Sequence, residues 1–385
     1  SDVCSSDLMY PASLTKIMTA IVVLENVKDL DGETAEYPMW IQNMLYGTNA
    51  SLGGLIVGEE LTIRQLLTSA LVQSGNESAM ILAGYVGSGG MADFMPRDIT
   101  TFVEMMNDKA KALGCTGTHF TNPTGLHSDN TYTTARDMAI MAKYAMQKSA
   151  FSSIVKNYAV QLGQTNKHAD LWQYSTNKML LTSSPYYYAP VVGIKTGSTD
   201  EAGRCVISQA EDSGYHYFCV VMGSPVTAAE PYQNFIETRQ LYRWAFGNFS
   251  LRTLLEQGEL MAEVPVKYSG DGKVAKLAIK EDVVQLLRDD ISLDSIIYKA
   301  ELPEFVEAPI AAGDTVGKMH IMLMGEEIGT VELVATQAFS LSWFRKALGT
   351  IGSLLSSTVA KVIFIVVVLA IAGYIVYAVR HNKKR

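Results

Sequence analysis

Apolar residues recur at helical spacing in several stretches of the chain. The first run follows Pro11 and Ala12 and predicts a helix from Ser13 to about Val27, because proline is tolerated in the first helical turn. The same spacing predicts further helices over 61–71, 77–86, 99–113, 134–146 and 229–246. Strand-like runs separated by glycine-containing turns predict an antiparallel meander at 191–197, 204–210 and 215–222. Residues 149–188 lack a clean periodicity, so we assign no elements to them.

The pattern changes near residue 251. Short β-like segments between Gly or Asp turns predict a small β-sandwich-like domain over 251–339, and 340–357 has the composition of an amphipathic interfacial segment. We expect 358–379 to be a transmembrane helix, because its last 18 residues are uncharged and at ~1.5 Å per residue nearly cross a hydrocarbon core of ~30 Å. A buried core helix is the alternative. The basic tail 380–385 is expected to be cytoplasmic, which places the rest of the chain outside a bacterial membrane.

Composition narrows the classes of protein. The chain has 385 residues, 48% hydrophobic and 18% charged, so it can bury one large core or two ordinary ones. Its net charge is −8 with no basic stripe before the tail, which argues against a nucleic-acid partner. The four cysteines form no CxxC pair, so no metal site and no cofactor are predicted. Cys205 and Cys219 either pair across a hairpin or remain buried thiols.

No export signal precedes Tyr10. We therefore expect residues 1–8 to be disordered or unrelated to the domain that follows, and that domain, 9–250, to be truncated at its N-terminus.

One tetrapeptide near the start of the chain suggests catalysis. On a helix, Ser13 and Lys16 would share a face, close enough for the lysine amine to take the proton of the serine hydroxyl. The same Ser-x-x-Lys pattern recurs at Ser153–Lys156 and Ser175–Lys178. For each of these tetrapeptides, the alternative to a catalytic pair is a serine that caps a helix and a lysine that is solvated.

Order and spacing decide among these candidates. Ser13 is followed by Ser74-Gly75-Asn76 after a predicted helix and by Lys195-Thr196-Gly197 at the end of a strand-like run. Ser153 and Ser175 lie too close to Lys195 to leave room for a helical subdomain between them. Ser128-Asp129-Asn130 has a similar spelling but lies about twice as far from Ser13 as Ser74 does.

Together these segments resemble the S-x-x-K, S-x-N and K-T-G motifs of the serine penicillin-binding proteins and β-lactamases. Their surroundings are similar to low-molecular-mass penicillin-binding proteins of the D-alanyl-D-alanine carboxypeptidase type, over residues 9 to about 340. The segments that carry this likeness are Tyr10–Thr19, Ser74–Asn76, Thr121–His127, Thr134–Met138 and Gly193–Thr199. The resemblance implies a mixed α/β, transpeptidase-like domain with an antiparallel sheet and a helical subdomain, then a β-rich domain and a membrane anchor.

It also implies a serine-type carboxypeptidase that removes the terminal D-alanine from peptidoglycan stem peptides and is acylated by β-lactams. Ser13 would be the nucleophile, a neutral Lys16 its base and Ser74 the proton relay. The substrate would be bound by Asn76, Lys195, Thr196, Gly197 and Ser198, with the N–H groups of Ser13 and Ser198 as the oxyanion hole.

The sequence is also compatible with other functions. A DD-endopeptidase uses the same chemistry, and a β-lactamase-like hydrolase shares the first step but needs a fast deacylating water. A non-catalytic, membrane-anchored cell-wall-binding protein is the alternative from another class. Such a protein would not need the complete set of Ser13, Lys16, Ser74, Asn76 and Lys195.

Overall fold

The computed structural model describes residues 5–348, 362 and 365–375. The chain divides into two compact units, Ser1–Gly247 and Asn248–Arg385. Each unit has its own hydrophobic core.

Two of the helices in the first unit are buried. The helices of this unit are α1 Lys16–Asn26, α2 Met39–Leu45, α3 Ile63–Thr68, α4 Asn76–Gly87, α5 Pro96–Ala112, α6 Ala135–Met146, α7 Ser149–Val155 and α8 Gln233–Asn248. Both α1 and α4 are buried over most of their length, as expected for helices that are apolar on nearly every side. Shorter helical turns lie at Ala12–Thr15, Ser69–Gln73 and Lys178–Leu180.

The main sheet of this unit is an antiparallel meander. Its strands are β5 Lys195–Thr199, β6 Gly203–Asp212 and β7 Tyr215–Ser224, in the order β5-β6-β7. Two small pairs complete the strands, β1 Thr34–Glu36 with β2 Glu60–Thr62 and β3 Ala159–Gln161 with β4 Trp172–Tyr174. The predicted meander is therefore present, although its first strand begins at Lys195 rather than Val191.

Several predicted helices differ in detail from the observed ones. Ser13 lies in the 3₁₀ turn Ala12–Thr15, and the α-helix starts only at Lys16. The predicted helix 61–71 begins at Ile63, because Thr62 caps it: its hydroxyl accepts from Gln65 N while the Gln65 side chain accepts from Thr62 N. The α-helix ends at Thr68, and the π-helical turn Ser69–Gln73 follows it. Residues 149–188 contain α7, β3 and β4, too short to leave a periodic signal.

The second unit is rich in β-structure. Its strands are β8 Phe249–Leu255, β9 Leu260–Lys267, β10 Val274–Ile279, β11 Val283–Arg288, β12 Ile296–Glu301, β13 Val306–Glu307, β14 Thr315–Leu323 and β15 Glu326–Ala335. Six of them form a sheet in the order β12-β14-β15-β10-β9-β13, and β8 pairs with β11. Alternate residues of these strands face one core, which includes Val264, Leu277, Ile321 and Leu333.

The predicted interfacial segment 340–357 is described only as far as residue 348, with a helix over 343–348. Ten of the 22 residues of the predicted membrane helix 358–379 and all of the tail 380–385 lie outside the described residues, while 362 and 365–375 are described and helical. Among the described residues, none of the helices has the length and apolar character needed to span a bilayer. Residues 1–4 also lie outside the described range, while Ser5 O accepts a hydrogen bond from Arg136 N.

Candidate active site

Ser13 and Lys16 come together at the junction of the 3₁₀ turn and α1. Lys16 Nζ lies 3.0 Å from Ser13 Oγ. Lys16 is fully buried, whereas Ser13 is partly exposed. The pair thus presents a hydroxyl at the surface with an amine enclosed directly beneath it.

The amine of Lys16 has two further partners. Asn76 Oδ1 and the carbonyl oxygen of Thr124 each lie 2.7 Å from Nζ. A neutral amine has two N–H donors and one lone pair. If the two N–H groups are donated to Asn76 and Thr124, the lone pair remains for the hydroxyl proton of Ser13. Asn76 and Thr124 thereby orient the amine as an acceptor for Ser13.

The electrostatic environment favours this neutral form. Burial lowers the pKa of Lys16 well below its usual value, and the charge of Lys195 lowers it further. Glu77 acts in the opposite direction on the Lys16 pKa. Glu77 is itself buried, and burial raises its pKa, although hydrogen bonds from the Gly53 and Leu55 N–H groups oppose that shift. A smaller fraction of Lys16 is therefore protonated at neutral pH than of a free lysine.

The segment Ser74-Gly75-Asn76 brings two predicted residues to Ser13 from the other side. Ser74 follows the π-helical turn Ser69–Gln73 in a left-handed conformation, with φ of 67°, and Asn76 opens α4. That change of direction lets Ser74 line the cavity in front of Ser13 while Asn76 stays buried against Lys16. The structure thus places Ser74 and Asn76 at one site with different environments.

Strand β5 forms the opposite wall. A Cβ atom on Gly197 would lie 2.9 Å from Ser13 N, so only glycine lets the strand approach the nucleophile turn this closely. Thr196, Gly197 and Ser198 line the cavity. Lys195 differs: its side chain is buried, its ammonium donates to the Thr196 carbonyl at 2.8 Å, and burial lowers its pKa to about 7.

These walls enclose a cavity of about 300 Å³. Its lining combines hydroxyl, aromatic and cationic side chains, and consists of Ser13, Ser51, Ser74, Thr176, Lys178, Thr196, Gly197, Ser198, Arg204, Cys205, Tyr232, Asn234 and Phe235. The volume and lining suit a short peptide end rather than a large ligand.

The other candidate serines do not line this cavity, although Lys178 of the Ser175–Lys178 tetrapeptide does. Ser153 is exposed on α7, and its hydroxyl donates to the Ala150 carbonyl. Ser128 lies in a loop, where its hydroxyl accepts from Asn130 N. Within the described residues neither serine lines the cavity that contains Ser13.

Comparison with known proteins identifies the family of the chain. The family model for D-alanyl-D-alanine carboxypeptidase (peptidase S11) matches residues 5–226, more than half of the chain. The chain belongs to the D-alanyl-D-alanine carboxypeptidase family. A second model, the penicillin-binding protein 5 C-terminal domain, matches residues 249–340. Membership confirms the predicted serine-type hydrolase and argues against the non-catalytic alternative.

Individual members of the family are similar over most of the chain. D-alanyl-D-alanine carboxypeptidase DacF of Bacillus subtilis is 28% identical over 344 residues, which are 88% of this chain and 82% of the relative. A D-alanyl-D-alanine carboxypeptidase of Streptomyces sp. strain K15 is 33% identical over 218 residues, 55% of this chain and 72% of the relative. The crystal structure of penicillin-binding protein 5 from Haemophilus influenzae superposes with a TM-score of 0.64 at 27% identity, covering 88% of this chain and 92% of that one.

Sequence reasoning left some site groups of this family member without a role. The Thr124 carbonyl belongs to the loop Thr121–His127, which is one of the segments that carry the resemblance. Since every residue has a backbone carbonyl, the sequence cannot show which one accepts a hydrogen bond from Lys16. Glu77 directly follows Asn76, and its Oε1 atom accepts a 2.6 Å hydrogen bond from Gly53 N. Lys178 lines the cavity from the segment 149–188, which has no clean periodicity, and Tyr232 lines it from within the predicted helix 229–246, one residue before α8 begins. A sheet or helix pattern could not have identified them.

Cys205 and Cys219 are free, buried thiols on β6 and β7. Of the two states considered from the sequence, the structure shows the unpaired one. Burial raises the pKa of both thiols, to about 11 for Cys205 and about 12 for Cys219, so neither is an activated nucleophile.

Proposed function

We propose that this carboxypeptidase uses Ser13 as its nucleophile to remove the terminal D-alanine from peptidoglycan stem peptides, on the outer face of a bacterial membrane. The observation that carries the assignment of Ser13 is the contact of its Oγ with Lys16 Nζ at 3.0 Å, inside the cavity wall that Ser74 and β5 complete. No other serine of the candidate tetrapeptides has an equivalent base within the described residues.

In the acylation step Ser13 Oγ attacks the carbonyl carbon between the two D-alanines. The hydroxyl proton passes to the lone pair of Lys16 Nζ, which Asn76 and Thr124 orient. The tetrahedral intermediate then collapses as a proton reaches the leaving amine, with Ser74 as the relay, and free D-alanine departs. A water molecule later hydrolyses the ester and restores Ser13.

Strand β5 supplies the binding groups in this proposal. The N–H groups of Ser13 and Ser198 stabilise the oxyanion, a role supported by the close approach of Gly197 to Ser13 N. Thr196, whose hydroxyl shares a 2.5 Å hydrogen bond with that of Thr176, binds the substrate end beside the cavity. Lys195 contributes mainly by lowering the pKa of Lys16.

Two further parts of the proposal concern inhibitors and location. β-Lactams present a reactive amide carbonyl and a nearby carboxylate, so the same groups would direct acylation of Ser13 by penicillin. The uncharged stretch 362–379 followed by basic residues supports a single membrane anchor at the C-terminus.

Release of D-alanine from a peptide that ends in D-Ala-D-Ala tests this function. We expect the wild-type protein to release it and Ser13→Ala to lose both release and covalent labelling by a fluorescent penicillin. Ser153→Ala, which alters the exposed serine of a similar tetrapeptide, should retain both. Persistent labelling of a folded Ser13→Ala protein would show that another residue is the nucleophile.

A further inference from the structure

The described lining of the cavity carries two cations and no acid. Lys178 and Arg204 line it together with Tyr232, and no Asp or Glu is found among the lining residues that the structure describes. The Lys178 ammonium lies 4.3 Å, and the Arg204 guanidinium carbon 5.0 Å, from the centre of the Tyr232 ring. Such cation–π contacts hold both side chains beside the ring while their charge remains available.

Arg204 is directed to the site by the sheet. It is the partner of Ser198 in the antiparallel register of β5 and β6, so the two side chains emerge on the same face of the sheet. Ser198 follows Gly197, which touches the nucleophile turn. Arg204 therefore stands one strand away from the segment that approaches Ser13 N.

The guanidinium has unused hydrogen-bonding capacity. Its Nε atom is buried and has no hydrogen-bond partner within the described part of the chain. A buried donor without an acceptor is costly unless a ligand satisfies it. Neither Arg204 nor Lys178 forms an ion pair with the carboxylates of the described residues. The nearby Glu230 instead accepts from the Tyr186 hydroxyl and from Tyr232 N.

The two lysines of the catalytic motifs do not supply this charge. Lys16 is fully buried and has three protein partners. Lys195 is also buried, and its ammonium is directed to the Thr196 carbonyl. Among the described residues, the basic side chains that line the cavity are thus those of Arg204 and Lys178.

We propose that Arg204, supported by Lys178, binds the C-terminal carboxylate of the substrate and thereby selects peptides with a free D-alanine end. This inference rests on the proposed function. A guanidinium forms a planar fork that matches a carboxylate with two parallel N–H···O bonds. A substrate whose last residue is amide-linked to another chain lacks that carboxylate, so Arg204 favours carboxypeptidase over endopeptidase substrates.

The test compares two substrates that differ only at this group. One is a peptide that ends in D-Ala-D-Ala with a free acid, and the other is its C-terminal carboxamide. We expect the wild-type kcat/KM for the acid to exceed that for the amide. Arg204→Gln should lower kcat/KM for the acid by about 10- to 100-fold, mainly through KM, and leave the amide nearly unchanged. Retained amide cleavage shows that the variant is folded.

Two more variants complete the experiment. Arg204→Lys keeps the charge without the fork and should restore part of the preference for the acid. Arg97→Gln is the matched control, since this arginine is 83% exposed on α5 and should leave both rates unchanged. An unaltered preference for the acid in Arg204→Gln, or equal losses on both substrates, would overturn the assignment of Arg204. Failure of the wild-type protein to release D-alanine would instead overturn the proposed function.

Discussion

Lys16 Nζ lies 3.0 Å from Ser13 Oγ, although Lys16 is fully buried and Ser13 reaches the cavity. The 3₁₀ turn Ala12–Thr15 makes this possible, because it joins α1 at Lys16 and leaves Ser13 one turn outside the helix. The buried amine and the accessible hydroxyl therefore belong to residues that are three positions apart in the chain. This arrangement leads to three predictions about reactivity and stability.

The first prediction concerns the base. Lys16→Met keeps the length of the side chain but removes the lone pair, so we expect acylation by a fluorescent penicillin to fall by about 10²- to 10⁴-fold. The carbonyl oxygens of Asn76 and Thr124 lose their donor, which costs about 1–3 kcal/mol each if they remain buried. Labelling kinetics and thermal unfolding measure the two effects. Lys156→Met, on an exposed lysine of a similar tetrapeptide, is the control. Wild-type labelling by a folded Lys16→Met protein would exclude Lys16 as the base.

The second prediction concerns pH. The charged groups that act on Lys16 are Lys195, which lowers its pKa, and Glu77, which raises it. Glu77 also faces Tyr37, whose pKa burial and Glu77 raise to about 12, so this phenol stays neutral in the working range. Acylation requires neutral Lys16, hence its rate rises as pH increases through the pKa of Lys16.

Two variants should therefore shift the acid limb of the pH–rate profile in opposite directions. Glu77→Gln removes the attraction and lowers the pKa of Lys16, so the limb should move to lower pH. Lys195→Met removes the repulsion and raises the pKa of Lys16, so the limb should move to higher pH. Second-order labelling rates measured across pH test both. Shifts of the same sign in both variants would contradict this account of the electrostatics.

The third prediction concerns a glycine behind the nucleophile. Gly125 has φ of +80°, and a Cβ atom there would lie 1.8 Å from the Ala12 carbonyl oxygen. Gly125→Ala should therefore displace the turn that carries Ser13 and slow penicillin labelling. Gly114 shares the φ of +80° but faces open space, so Gly114→Ala should cost only about 1–2 kcal/mol for its backbone conformation.

Denaturant unfolding and labelling kinetics of these two alanine variants make the comparison. The free energy of unfolding should fall further in Gly125→Ala than in Gly114→Ala, and labelling should slow only in Gly125→Ala. Equal effects of the two substitutions would mean that the contact with Ala12 has no influence on the site.

Much of this protein was predictable from local patterns. The order and spacing of Ser13, Ser74 and Lys195, together with the segments around them, resemble the motifs of the family, because members of one family place their catalytic groups on the same elements of one fold. Helical and alternating periodicity predicted the helices α4–α6 and the meander β5-β6-β7, since each element must bury an apolar face. The change of pattern near residue 251 predicted a β-rich region.

Other features depend on contacts between distant segments. The Thr124 carbonyl reaches Lys16 across 108 positions of the chain, and a backbone acceptor has no residue type that could announce it. In the sequence, Arg204 and Lys178 cannot be told apart from ordinary surface cations. Only the folded chain brings both side chains to the Tyr232 ring at the cavity. The motif sequences determined which groups carry the chemistry. The tertiary structure decided which of them are buried, oriented or left unpaired, because burial and hydrogen-bond partners are properties of the packed chain rather than of its local sequence.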